Sequence, residues 1–328
     1  MLRFVVKRII MTIPVLLGVI FIIFTMMFFT DGDPARLILG DDALPEEVEL
    51  LREEMGLNDS FLEQFLRYLT GVIQGDLGIS YTTKLPVTTE IMARLPVTFK
   101  LAVFSTLFAI CIGIPAGIIS AVRQYSILDN VTMVLALLGI TMPNFWLALL
   151  LTLFFSVYLG WLPASGLYGP LYYIMPVISI SALSVATITR MTRSSMLEVI
   201  RQDYIRTARA KGQSEGKIIF KHALKNALIP IITVIGIQFA ITLGGAVVNE
   251  QVFAIPGLGK LMVDGIKARN YPIVQGGVLV IAIMFSILNL FIDLLYAFVD
   301  PRIKTQYQKS SAKMKSTPVA AAGKGVSQ

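Results

Sequence analysis

Residues 190–230 decide how this chain is read. They run Arg190-Met-Thr-Arg193, then Asp203-Tyr204-Ile205-Arg206-Thr207-Ala208-Arg209-Ala210-Lys211-Gly212, then His222-Ala-Leu-Lys-Asn226-Ala-Leu-Ile-Pro230. The stretch is basic, helix-patterned and set between two hydrophobic runs. Met196, Ile200, Tyr204 and Ala208 recur at a spacing of four, with Leu197 and Ile205 flanking, which predicts an amphipathic helix. Gly212 stands where such a helix should stop, and Lys211 favours the negative helix end. Ser214 is placed to cap a second helix that continues into the next apolar run. Two short helices around a glycine turn form a docking surface for a soluble partner.

Outward from this stretch the chain is strongly apolar. Hydrophobic residues make up 55% and charged residues 15%, and mean hydropathy is +0.74. Soluble domains carry roughly 25% charged residues, so the deficit marks an all-α integral membrane protein. The net charge of +7 sits in loops beside apolar runs and does not argue for nucleic acid. The single cysteine, Cys111, lies in an apolar run as a packed hydrophobe, and the single histidine, His222, is too few for a metal site of the usual kind. No residue set reads as catalytic, metal-binding or cofactor-binding.

Six runs approach the ~20 apolar residues that cross a bilayer: 9–30, 97–122, 131–159, 173–188, 227–248 and 276–299. The first follows Arg3, Lys7 and Arg8, but it is too long for a signal sequence and no small-residue cleavage site follows, so it reads as a retained anchor. Positive charges near the run ends orient the chain. Arg3, Lys7 and Arg8, then Arg123, then the cations of 190–225, then Arg302 and Lys304, place both termini and the 190–226 loop in the cytoplasm. The expected organisation is a first transmembrane helix with its cytoplasmic end (1–30), an extracytoplasmic segment (31–96), a five-helix core (97–303) and a disordered polar tail (304–328). In the outer segment Leu50, Leu51, Met55 and Leu57 suggest a short amphipathic helix, and Pro45, Gly56, Gly75, Gly78 and Pro86 punctuate it.

Small residues at Gly236, Ala240 and Gly244, with Gly245 adjacent, predict a close-packing face on the fifth run. Gly113 and Gly117 predict the same on the second, with Pro115 between them as a kink. Three polar residues are candidates for a pathway. Asp293 is read as the one acidic residue well inside a run, with Asn289 a turn before it. Glu250, at the outer end of the fifth run, is expected to meet solvent or substrate. Asn144 beside Pro143 should interrupt the third run.

The 190–230 stretch resembles the cytoplasmic loop of ABC importer permeases, usually written E-A-A-x-x-x-G-x9-I-x-L-P. Arg206-Thr207-Ala208 stand at the E-A-A positions, Gly212 holds the glycine, and His222-Ala-Leu-Lys225 stand at I-x-L-P, where the leucine alone matches. These departures are similar to the peptide/nickel-type branch, as are Gly75-Asp-Leu-Gly78, Arg94-Leu-Pro96-Val-Thr98, Gly160-Trp161-Leu-Pro163, Glu250, Phe253, Pro256-Gly-Leu-Gly259 and Asp300-Pro-Arg302. The resemblance covers nearly the whole chain up to residue 303. It implies a type I importer permease fold and one of two different permease subunits of a dipeptide or oligopeptide importer in a bacterial inner membrane. Nickel-chelate or glutathione importers are the alternatives. It also implies a second homologous permease subunit, an extracytoplasmic substrate-binding protein, and two cytosolic ATPase subunits that hold ATP and Mg. The ATPases would dock on Asp203, Tyr204, Arg206, Thr207, Ala208, Arg209, Lys211 and Gly212.

The residues agree with that division of labour. Pro256-Gly257-Leu258-Gly259-Lys260-Leu261 lacks the first glycine and the Ser/Thr of a P-loop, so energy must come from a partner or an ion gradient. A proton-coupled transporter working through Asp293 is the chief rival. An intramembrane enzyme lacks a catalytic set, and a purely structural subunit would not depend on the loop.

Overall fold

The computed structural model describes residues 2–30, 32–40 and 42–299; the expected tail at 304–328 lies outside them. Helices account for nearly all regular structure among the described residues. The long ones are α1 (Leu2–Phe28), α5 (Val87–Val122), α8 (Ile174–Ile200), α11 (Leu224–Val252) and α13 (Tyr271–Val299). Each contains a segment long and apolar enough to cross a membrane. Inner and outer denote the two ends of the bundle in the orientation set by the positive charges.

The third run is not one straight span. It forms α6 (Ile127–Thr141) and α7 (Asn144–Leu151), bent by 106° at Met142-Pro143, and α7 passes into a π-helical turn over Thr152–Tyr158. Proline removes a backbone donor and forces the preceding residue out of the helical region. Met142 and Pro143 are accordingly extended, with ψ of 126° and 134°. The fourth run is longer than expected, because α8 continues to Ile200 and carries Arg190 and Arg193 within it.

α5 and α8 form the centre of the bundle. α5 runs as one helix through Pro96 and Pro115. A Cβ on Gly117 would stand 2.5 Å from Thr192 Cβ, and one on Gly113 would stand 2.9 Å from Ile188 Cγ2, so both glycines let α5 lie directly on α8. On α11, a Cβ on Gly236 would meet Ile292 of α13 at 2.7 Å, and Ala240 is buried. Gly244 and Gly245 have no atom within 4 Å of a Cβ position, so the expected small face covers only the inner half of α11.

The outer segment folds as α2 (Pro34–Leu39), α3 (Pro45–Glu54) and α4 (Phe61–Gln74). The expected punctuation holds: Pro45 opens α3, Gly56 follows it with φ +63°, and Gly75 ends α4 with φ +82°. The apolar face of α3 differs from expectation, since Val48 is buried and Leu50 is exposed. α4 is the larger element. Ser60 caps it, accepting from the Glu63 amide, while the Glu63 carboxylate accepts from the Ser60 amide and hydroxyl.

Candidate functional site: the inner elbow and the bundle interior

After α8 the chain turns at Arg201-Gln202 and forms α9 (Asp203–Ala210). The break falls inside the spacing-of-four stripe, so Met196 and Ile200 belong to α8 while Tyr204 and Ala208 belong to α9. Ile205, completely buried, is the residue that seats α9, with Ala208 beside it; Tyr204 is 44% exposed. Ile205 and Ala208 join one apolar cluster with Met196 of α8, Ile118 and Ala121 of α5, Ile218 and Ala223, and Ala227 and Ile231 of α11.

The stop at Gly212 is a Schellman motif. The Gly212 amide donates to Arg209 O at 2.9 Å and the Gln213 amide to Ala208 O at 3.3 Å. Gly212 supplies the left-handed conformation, φ +75°. Arg209 then spans the turn, donating to both carboxylate oxygens of Glu215 at 2.8 and 3.3 Å. That hydrogen bond, more than the accompanying charge, raises the Arg209 pKa. Ser214 stands at the start of α10 (Glu215–Lys217), but its side chain accepts no capping bond. α10 continues through a π-helical turn, Ile218–Ala223, into α11. Asn226 donates to the Tyr204 hydroxyl at 2.9 Å and ties the two limbs together.

The eight candidate docking residues therefore fall into two groups. Ala208 faces inward. Asp203, Tyr204, Arg206, Thr207, Arg209, Lys211 and Gly212 are exposed along the outward face and its turn. Arg206 and Lys211 make no ion pair with a described residue.

Just inside this elbow, Asp129 of α6 is 2% exposed and is gripped by Arg193 of α8 through Nε at 2.7 Å and Nη2 at 2.8 Å. Ser120 of α5 and the Tyr125 amide donate to the same carboxylate. Three helices are thus braced on one carboxylate. Arg193, counted from the sequence as a loop cation, is part of the bundle.

Glu250 corrects another expectation. It meets no solvent; it is completely buried at the outer end of α11. Thr98 of α5 donates to its Oε1 at 2.6 Å, and the Lys260 amide donates to its Oε2 at 2.9 Å. Thr98 in turn accepts from the Leu258 amide at 2.8 Å. The carboxylate and hydroxyl thereby satisfy the first amides of α12 (Leu258–Lys267), where a negative charge is favoured. The Pro256-Gly-Leu-Gly259 motif serves this clasp. A Cβ on Gly257 would overlap the Glu250 carboxylate, and one on Gly259 would stand 2.6 Å from the Val247 backbone. The side chain of Asp293, the candidate on α13, lies outside the described residues. Asn144 is the first residue of α7, directly at the 106° bend.

Between the two clasps, α5, α8 and α11 share a buried hydroxyl-rich seam. Ser179 donates to Asn249 Oδ1 at 2.8 Å, and Ser184 and Thr242 lie 3.4 Å apart. Ser105, Thr106 and Thr192 bury hydroxyls, and Asn249 buries its Nδ2, with no hydrogen-bond partner among the described residues.

The structure is thus a bundle of membrane-length helices with one broken span, a braced interior and a short helix presented at its basic inner end. Residues 113–305 match the family described as "Binding-protein-dependent transport system inner membrane component", and residues 1–102 match its N-terminal region. The chain belongs to this family, the membrane permeases of ABC importers, which work with ATPase and substrate-binding partners. It is 43% identical to the dipeptide transport system permease protein DppB of Alkalihalophilus pseudofirmus, over 93% of this chain and 100% of that one. It is also 43% identical to the glutathione transport system permease protein GsiC of Pectobacterium atrosepticum, over 93% and 99%. Among solved structures, the inward-facing MetNI methionine ABC transporter matches with a TM-score of 0.56 at 20% identity, over 64% of this chain and 96% of that one. That likeness shows the type I importer permease fold.

Proposed function

We propose that this chain is one of two different permease subunits of an importer for small peptides, dipeptides and oligopeptides above all, in a bacterial inner membrane. The DppB and GsiC relatives support this substrate class, since one carries dipeptides in its name and the other a tripeptide thiol. One of two cytosolic ATPases, which hold ATP and Mg, docks on the outward face of α9, and a second permease subunit supplies the other half of the pathway. A binding protein delivers substrate to the outer surface. There a cavity of about 580 Å³ lies between the end of α1, α4 and the start of α13, with Asp33, Arg52, Arg67 and Tyr271 on its walls.

The seating of α9 is the single observation that carries this reading. Ile205 is buried in a cluster that draws on α5, α8 and α11, while the polar side chains around it are left outward. A push on α9 is transmitted to three spans as a rigid-body motion. Asn144 at the bend and Asp293 on α13 are the pathway candidates.

Co-expression with the genes that neighbour this one tests the reading. An ATPase and a second permease should co-purify, and uptake of labelled dipeptide should fall with Arg209→Glu. Uptake that needs no ATPase but is lost in Asp293→Asn would point instead to proton coupling.

A further inference from the structure

We infer that α4 lies in the plane of the outer leaflet as an interfacial helix, with lipid acyl chains covering a stripe of leucine and isoleucine that the protein leaves bare. The inference does not rest on the proposed substrate or partners.

α4 reads Phe61-Leu-Glu-Gln-Phe-Leu-Arg-Tyr-Leu-Thr-Gly-Val-Ile-Gln74. At 3.6 residues per turn its apolar residues occupy nearly half the circumference. The protein packs only one edge of that arc. Phe61, Phe65 and Tyr68 pack on Phe21, Phe24 and Phe28 of α1, with ring centroids 5.1 to 6.2 Å apart. The adjoining edge carries Leu62, Leu66 and Ile73, which are 61%, 49% and 77% exposed. The opposite, polar face is turned toward the rest of the outer segment. Gln64 donates to Leu57 O and Asp59 O, and Arg67 pairs with Asp59 and donates to Met55 O.

The depth follows from α1. Its apolar segment is Arg8–Phe28. Phe21 to Phe28 covers about 10 Å of helix axis at the outer end, out of a hydrocarbon core of about 30 Å. A helix resting there sits at the boundary of headgroups and acyl chains, the depth at which amphipathic helices bind. Both ends of α4 stay at that level. Phe61 touches Phe28 and Phe29 at the outer end of α1. Three residues after Gly75, Gly78 lies against Pro272 at the outer start of α13. α1 has a bare side at the same height, where Ile22 and Met26 are both 59% exposed. The polar face of α4 then points outward and holds the turn 55–59 that follows α3.

Site-directed spin labelling tests this. In a Cys111→Ser background, single cysteines replace Leu62, Leu66 and Ile73 on the stripe, and Thr70 and Gln74 on the polar side. Each full-length variant is purified with its accompanying subunits and reconstituted in phosphatidylethanolamine–phosphatidylglycerol vesicles. Nitroxides on the stripe should collide more with oxygen than with a water-soluble nickel chelate, and those at Thr70 and Gln74 should show the reverse. Nickel-dominated collisions at 62, 66 and 73 would overturn the inference, because the stripe would then face water. Immobile labels shielded from both reagents would overturn it equally, by showing a protein in that place.

Discussion

Ile205→Ala should release α9 from the bundle without unfolding it. The side chain is completely buried, and the other inward residue of α9, Ala208, contributes one methyl group. Truncating a buried isoleucine removes about 0.8 kcal/mol per methylene, and with the cavity term the cost is about 2–5 kcal/mol. α9 has eight residues, far below the ~12–15 at which an isolated helix is marginal. It has no stability of its own to absorb the loss. At 1.4 kcal/mol per tenfold, a 3 kcal/mol loss raises the detached population on the order of 100-fold. Hydrogen exchange read by mass spectrometry resolves this by segment. Amides of α9 should exchange on the order of 100-fold faster, while α5 and the outer half of α8 keep their protection. Arg206→Ala, on the exposed face, should change nothing in the same measurement. If exchange in α9 stays within a few-fold of the parent, or if α5 and α8 lose protection equally, then Ile205 does not seat α9 and the transmission argument fails.

Five other substitutions probe the same geometry. Gly212→Ala meets no neighbour but forces a left-handed conformation on a residue with a Cβ; it should cost about 1 kcal/mol, seen as faster exchange confined to the α9–α10 turn. Asp129→Asn leaves a bidentate arginine without its charge partner; because Arg193 keeps 23% of its side-chain exposure, the loss should fall near the low end of the range for a broken buried pair, about 3 kcal/mol, measured as a lower thermal midpoint in detergent. Gly257→Ala drives a methyl group into the Glu250 carboxylate and should cost about 1–3 kcal/mol, with proteolysis or exchange rising in α12 and not in α9. Gly117→Leu should abolish folded protein on a size-exclusion profile, since Thr192 and the Thr189 carbonyl block the space, whereas Gly244→Ala should be tolerated.

Much of the fold is legible in the sequence, because hydropathy and charge asymmetry are local signals. Five spans and the stop at Gly212 come from neighbours in sequence. The broken third span is partly visible: Pro143 and Asn144 mark the place, but the surrounding run is continuously apolar, and only packing turns a local interruption into a 106° bend. Glu250 is misplaced by sequence for a different reason. Its partner Thr98 is 152 residues away, and no spacing rule reports that distance. Asp129 does carry a signal, an acid beside an apolar run that faces an arginine on another span. Hydropathy ends the fourth run at residue 188, however, and so credits Arg193 to a loop rather than to α8. α4 also has a signature, since Ser60 and Glu63 form a capping pair at the head of a 3.6-residue pattern. On α9 the spacing-of-four stripe passes through Tyr204 while Ile205 bears the burial, because the helix breaks at Arg201-Gln202 and resets the phase.

Site-specific crosslinking from the outward face of α9 bears most directly on the role of this chain. With Cys111→Ser removing the one native cysteine, Arg206→Cys places a thiol on the exposed side of the helix, opposite Ile205 and Ala208. A short photoactivatable maleimide attached there, in membranes from cells that express the neighbouring genes, should capture an ATPase subunit, with yield that changes between nucleotide-free and ATP-trapped states. Capture of no ATPase, with peptide uptake intact in the same cells, would contradict the assignment of α9 as the point where ATP hydrolysis enters the membrane domain.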